Sequence, residues 1–382
     1  MRFRSTLIIA AFACVGFVFA AAVADRLNPL TGTRADDRSV IVTAADGSLL
    51  RAFTSKDGRW RLPVKSAQVD ARYLSMLLAW EDHRFRDHPG VDPLAMLRAA
   101  YQLAAEARVV SGASTISMQV ARLMEPRERT LGAKVLQMAR ALQLEWHLTK
   151  DEILERYLTL APYGGNLEGV RAASFAWFGK EPKNLTVGEA ALLVALPQSP
   201  ERRRPDRFPQ IAKAARDRVI DTLAERGLLS ARDAREAKED PIPNRRRRFP
   251  FHAPHLAQDL LAANKTNEPV IISTIDARVQ TKLEDLGRRE RTYFDDDANL
   301  AVVVVENETR NVLALLGGAN FWSQAGQVDL TKASRSPGST LKPIIYGIAF
   351  DELIVHPQTL IDDKPTMFGD YEPRNFDRGF QG

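Results

Sequence analysis

Cysteine is almost missing from this sequence: Cys14 is the only one in 382 residues, which excludes an internal disulfide and leaves the redox compartment open. Charge of one sign is scarcely in excess either. The net charge of +5 is a weak surplus that favours an anionic partner without naming one. After residue 24 no apolar run is long enough to span a bilayer, so the chain is expected to touch a membrane only once. No internal repeat of fixed period is present. His83 and His88 are spaced i,i+5, which does not put them on one helical face, so they are not read as metal ligands.

What is present places the chain in the globular class: 45% hydrophobic and 26% charged residues, with length enough for two ordinary domains. Arg2 and Arg4 precede an uninterrupted apolar run from Leu7 to Ala24, closed by Asp25 and Arg26. At 1.5 Å per residue this run just crosses a hydrocarbon core of roughly 30 Å. The basic flank keeps the N-terminus cytoplasmic and sends the rest outside. The run is read as a retained anchor. A cleaved signal peptide is the competing reading, because Ala20–Ala24 supplies small residues.

Residues 39–54 alternate around Asp46-Gly47 and predict a hairpin. From about 70 to 235 the periodicity is helical. Within it TKDEILERYLTL (149–160) has Thr149 as cap, Glu152 to complete a capping box, and one apolar face. Residues 236–267, with their prolines and the run Arg245 to Arg248, read as a basic linker whose arginines are solvated. Strand-like runs follow in PVIISTI and LAVVVVENETRNVLALLGG. The expected organisation is an anchor (1–26), a helical domain (39–235), the linker (236–267), and the beginning of an α/β domain (268–382).

In AWEDHRFRDHPGVDP (79–93), carboxylates gather where the apolar stretch YLSMLLAW ends. Glu81 follows Trp80 directly. A carboxylate desolvated against an aromatic has a raised pKa and suits acid or base work near neutrality. In GASTISMQVARL (112–123), Ser114, Thr115, Gln119 and Arg122 set hydroxyls, an amide and a cation on an otherwise apolar helix. A guanidinium at such a mouth can hold a pyrophosphate by bidentate contacts.

The first stretch resembles the opening signature of the family 51 glycosyltransferases, the peptidoglycan polymerases of bifunctional, class A penicillin-binding proteins. Glu81, Asp82, Phe85, His88, Gly90 and Asp92 carry the match. The second signature is matched by Gly112, Ser114, Thr115, Ile116 and Gln119, and three further motifs follow in family order within 129–159, 162–180 and 185–200. The resemblance implies a mainly α, lysozyme-like glycosyltransferase domain after a transmembrane helix, facing the periplasmic or extracellular side. It implies that Glu81 is the general base and that Glu155 assists around the leaving pyrophosphate. Asp82, Ser114, Thr115, Gln119 and Arg122 would bind substrate, and Lys134 would neutralise charge at the leaving group. Lipid II and lipid-linked glycan are the implied substrates, with the membrane and cell-wall assembly proteins as partners and no nucleic acid. No cofactor is required. Mg²⁺ or Mn²⁺ can accompany the pyrophosphate, without a dedicated protein cage for it.

Several positions depart from that pattern. Arg122-Leu123 replaces Lys-Asn, Ala133 stands where arginine often precedes Lys134, Gln137 replaces a glutamate, and Thr159 an asparagine. Downstream, Ser339-Thr340-Leu341-Lys342 is the only Ser-x-x-Lys in the chain and resembles the nucleophile motif of the penicillin-binding transpeptidases. Neither a Ser-x-Asn nor a Lys-Thr-Gly follows it. The transpeptidase part is therefore expected to be incomplete and inactive, and penicillin binding is not expected. Two rival functions share parts of these features: a lysozyme-like lytic enzyme, and a non-catalytic scaffold for wall assembly.

Overall fold

A computed structural model describes residues 23, 25–30, 34–106, 114–128, 130–293, 299–334, 336–375 and 379–380. The expected anchor, 7–24, lies outside them but for Val23. Among the described residues no helix is long and apolar enough to cross a membrane. The chain divides into two compact units, Met1–Thr331 and Lys332–Gly382.

The larger unit begins with the predicted hairpin. Strands β1 (Ile41–Thr43) and β2 (Leu49–Ala52) pair antiparallel, and Gly47 takes the positive φ (84°) that its turn requires. Two short strands, β3 (Trp60–Arg61) and β4 (Leu167–Glu168), pair in parallel, joined by the buried Arg61–Glu168 ion pair at 2.7 Å. Nine helices described between residues 71 and 239 supply most of the core: α1 (Ala71–Glu81), α2 (Pro93–Glu106), α3 (Ile116–Met124), α4 (Leu131–His147), α5 (Lys150–Leu160), α6 (Val170–Phe178), α7 (Val187–Ala195), α8 (Pro209–Glu225) and α9 (Ala231–Glu239).

Their boundaries follow from capping. Thr149 and Thr186 open α5 and α7 with complete capping boxes through Glu152 and Glu189, and Thr115, Thr130 and Ser230 cap α3, α4 and α9. Helix α7 is apolar on nearly every face and forms the centre, packed against α1, α8 and α9. Tyr73, Leu77, Ile116, Leu158, Trp177, Leu192 and Val219 close the core around it.

The stretch expected as a basic linker keeps Arg245, Arg247 and Arg248 exposed, as expected, while part of it packs along the helices. Arg246 donates to Asn166 Oδ1 at 3.1 Å, the Arg247 backbone N–H donates to Ala176 O, and Phe249 stacks on Trp60 with 4.5 Å between ring centroids. Aromatic burial draws this segment against the helices despite its charge. Its later part folds into α10 (Pro254–Ala263). Strand β5 (Val270–Ile272) then pairs in parallel with β1, giving a sheet of order β2-β1-β5. Because side chains alternate, Ile41 and Leu49 enter the helical core, while Val42 and Leu50 enter a second cluster with Ala257 and Ile275. Helix α11 (Ala277–Glu290) supports the antiparallel strands β6 (Val302–Val305) and β7 (Val312–Leu316) through Leu283, Ala314 and Leu316. The Gln280 amide bonds both the N–H and the C=O of Leu315.

The smaller unit has a single-turn 3₁₀ helix, Gly338–Leu341, running directly into α12 (Lys342–Asp351), and none of their residues is buried.

Candidate active site

Helix α1 carries Glu81 as its last residue and Asp82 as its C-cap. Asp82 is turned inward. Its Oδ2 accepts the Ile116 N–H at 2.9 Å, and His88 Nε2 lies 3.1 Å from both carboxylate oxygens. His88 Nδ1 accepts the Gly90 N–H at 3.1 Å, so Nε2 carries the proton and donates to Asp82. Gly90 has φ 102°, and a Cβ there would meet Ala141 O at 2.6 Å, so only glycine fits. Thr115 Oγ1 donates to Gly90 O at 2.5 Å and accepts the Met118 N–H. The first two signatures are thus tied into one frame. Asp82 and Thr115, expected at the substrate, spend their hydrogen bonds holding α3 against the end of α1, although both also line the cleft.

Glu81 stands outside this frame. Gln119 Nε2 donates to its Oε2 at 2.8 Å. Burial lifts the Glu81 carboxyl above its ordinary range, against the opposing pull of Gln119, Arg122 and Arg203. It opens on a cleft of about 660 Å³, with Ser114 on the wall and Arg98 and Arg226 at the rim. Arg226 also donates to Ala79 O at 2.6 Å, closing a free carbonyl in the last turn of α1.

A second cleft, of about 520 Å³, lies between α3 and α4 and is lined by Arg122, Lys134, Gln137 and Arg140. Lys134 Nζ donates to Ser114 Oγ at 2.6 Å, which links the two clefts. Burial and the neighbouring Arg122 push the Lys134 ammonium below its usual range. Gln137 donates to Met118 O at 2.5 Å and so adds no charge. Glu125 and Glu128 also line it, Glu125 paired with Arg140 at 2.8 Å and with Arg127 at 3.0 Å, so Arg122 and Lys134 carry the cationic surplus, and an anion is the ligand they suit.

The structure therefore brings Glu81, Ser114, Gln119, Arg122 and Lys134 together. It does not bring Glu155 to them. Glu155 lines a different cavity and accepts the Ser66 N–H at 3.0 Å. Ser339 and Lys342 are both exposed; the Lys342 backbone N–H donates to Ser339 O, and among the described residues no hydrogen bond joins their side chains. Arg203 and Arg226 escaped the sequence reading. Their only signal is an arginine-rich stretch and a helix end with nothing local to say which way they face.

Residues 46–224 match the family model Transglycosylase, and residues 300–381 match the Penicillin binding protein transpeptidase domain. Penicillin-binding protein 1C of Escherichia coli is 45% identical over 361 residues, covering 94% of this chain and 46% of that protein. The chain belongs to the class A penicillin-binding proteins. Penicillin-binding protein 1F of Bacillus subtilis is 30% identical, over 84% of this chain and 47% of its own length. Penicillin-binding protein 2D of the same organism is 31% identical, over 89% and 51%. The chain spans about half the length of these curated relatives. The tied signatures, Glu81 and the second cleft fall within the segment matched as the transglycosylase of this penicillin-binding family, and the first cleft does so but for Arg226 and Leu228 on its wall.

Proposed function

We propose that this chain polymerises lipid II into glycan strands with inversion at the anomeric carbon, and that Glu81 is the base. The observation that carries this reading is Glu81 itself: a desolvated carboxylate at a helix end, held by Gln119, opening on one cleft and linked through Ser114 and Lys134 to a second with a surplus of cations. Glu81 takes the proton from the 4-hydroxyl of the acceptor sugar as that oxygen forms its bond to the donor's anomeric carbon. The bond from that carbon to the pyrophosphate oxygen breaks, and undecaprenyl pyrophosphate leaves with the electron pair. Arg122 and Lys134 stabilise the charge that develops on it. A divalent ion accompanying the pyrophosphate would arrive with the substrate, since among the described residues no three His, Cys, Asp or Glu converge to hold a metal. Glu155 has no part in this step; it steadies Ser66.

The apolar run 7–24 would tether this polymerase to the outer face of the cytoplasmic membrane, where its lipid-linked substrate lies. In the transpeptidase segment Ser339 would be the nucleophile and Lys342 its proton acceptor. Exposure of both, with no bond between their side chains among the described residues, supports an inactive pair in this chain.

The test is lipid II polymerisation by Glu81→Gln. A general base is worth about 10²–10⁴ in rate, so the variant should lose that factor while keeping the parent's circular dichroism. Turnover near the parent's would remove Glu81 from the base role. Release of muropeptides from finished wall, in place of polymerisation, would favour the lytic alternative.

A further inference from the structure

One cavity stands apart from both clefts. It measures about 570 Å³ and lies where the β2-β1-β5 sheet meets α5, lined by residues of β1, β5 and α5 and by Arg38 and Lys65. Its polar groups are unevenly served. The Arg156 guanidinium is half-buried, and its nearest recorded partner is the weak acceptor Met124 Sδ at 3.9 Å. Among the described residues no carboxylate comes within ion-pair distance of it. Burial disfavours its protonated form; the charge of Asp36 works against that, Arg38 adds to it, and Glu152 opposes it more weakly. Among the described residues Arg38 spends only its Nε–H, on Ala35 O. Thr43, 3% exposed on the cavity wall, has a hydroxyl with no partner among the described residues. The two carboxylates on the wall are already engaged: Glu152 closes the α5 capping box, and Glu155 accepts from Ser66.

We propose that this cavity binds a phosphate group between Arg38, Arg156 and the Thr43 hydroxyl. Two guanidiniums that repel one another across a cavity are relieved by an oxyanion placed between them, and a tetrahedral phosphate has oxygens enough for both forks and the hydroxyl. A buried hydroxyl left unpaired is costly, and an oxygen of the ligand would satisfy it. The cavity is separate from the polymerase clefts, so this inference does not depend on the polymerase reading. The phosphate could be free or carried on a lipid. Val64, Leu160 and Val270 line the same cavity and would receive an acyl chain.

The full chain in detergent is titrated calorimetrically with inorganic phosphate, and separately with dihexanoyl phosphatidylglycerol below its micelle concentration. Saturable binding of either probe, weakened about tenfold or more by Arg156→Gln and by Arg38→Gln, is the expected result. Arg38 is exposed, so its variant reports even where Arg156→Gln disturbs folding. Tighter binding of the lipid assigns the phosphate to a lipid, and equal or tighter binding of inorganic phosphate assigns it to the free ion. No saturable binding of either probe, or binding unchanged in Arg38→Gln, overturns the site.

Discussion

Asp82→Asn separates two meanings of the opening signature. If Asp82 served the substrate, its amide would cost activity and leave the fold alone. The structure predicts otherwise. Asp82 is 8% exposed and faces two donors, the Ile116 N–H at 2.9 Å and the His88 Nε2–H at 3.1 Å. Asparagine brings one acceptor oxygen, and its NH₂ turned to either partner sets donor against donor. One buried donor left unsatisfied costs about 1–3 kcal/mol, and loss of a charge-assisted acceptor puts the figure in the upper part of that range. A destabilisation of about 2–3 kcal/mol corresponds to roughly 4–12 °C in Tm for a domain of this size. Polymerisation should fall as well, because α3 starts at Ile116 and carries Gln119 to Glu81. Thermal unfolding followed by circular dichroism, with rates measured well below the transition, reads both effects. Parent-like unfolding with activity lost would refute the framing role and return Asp82 to the substrate.

Burial raises the Glu81 carboxyl, and the base must be ionised, so the rate should fall with decreasing pH through a value above the ordinary glutamate pKa of about 4.3. A pH–rate profile with its acid limb at that ordinary value would contradict the desolvated site. Lys134→Gln removes the cation that touches Ser114 and should slow polymerisation roughly 10²-fold with unfolding unchanged, as followed by lipid II turnover. Ser339 is exposed, and among the described residues its hydroxyl is not bonded to the Lys342 ammonium, so a fluorescent penicillin should label this chain no more than its Ser339→Ala variant. Stoichiometric, serine-dependent labelling would show a working acylation site.

Local chemistry made much of this molecule legible. The Asp46-Gly47 turn and the Thr149–Glu152 capping box each act within a few positions of sequence, and each stands where its sequence puts it. What stayed hidden is long-range. Nothing near Arg245–Arg248 shows that Phe249 stacks on Trp60, and nothing near Val270 shows its pairing with Ile41. The site divides in the same way. Glu81 could be picked out beside Trp80, but the inward turn of Asp82 depends on Ile116, thirty-four residues on. Glu155 reads well in its own helix, yet α5 presents it to Ser66 and not to Lys134. Motif order says which residues travel together in a sequence, and it is silent on which face of the fold receives them.

The parallel pairing of β1 with β5 sets a timetable for biosynthesis. Ile41 leaves the ribosome 229 residues before its partner Val270. At about 5–20 residues per second the first hairpin waits roughly 10–50 s with one edge unpaired. The helices from α1 to α9 can be made and packed in that interval, but the sheet cannot be completed until the chain has returned to it. Closing so long a loop is slow, and an open strand edge invites pairing with another chain in the meantime. A protein built in this way gains from being shielded as it emerges, and its early hairpin is the segment that most needs the shelter.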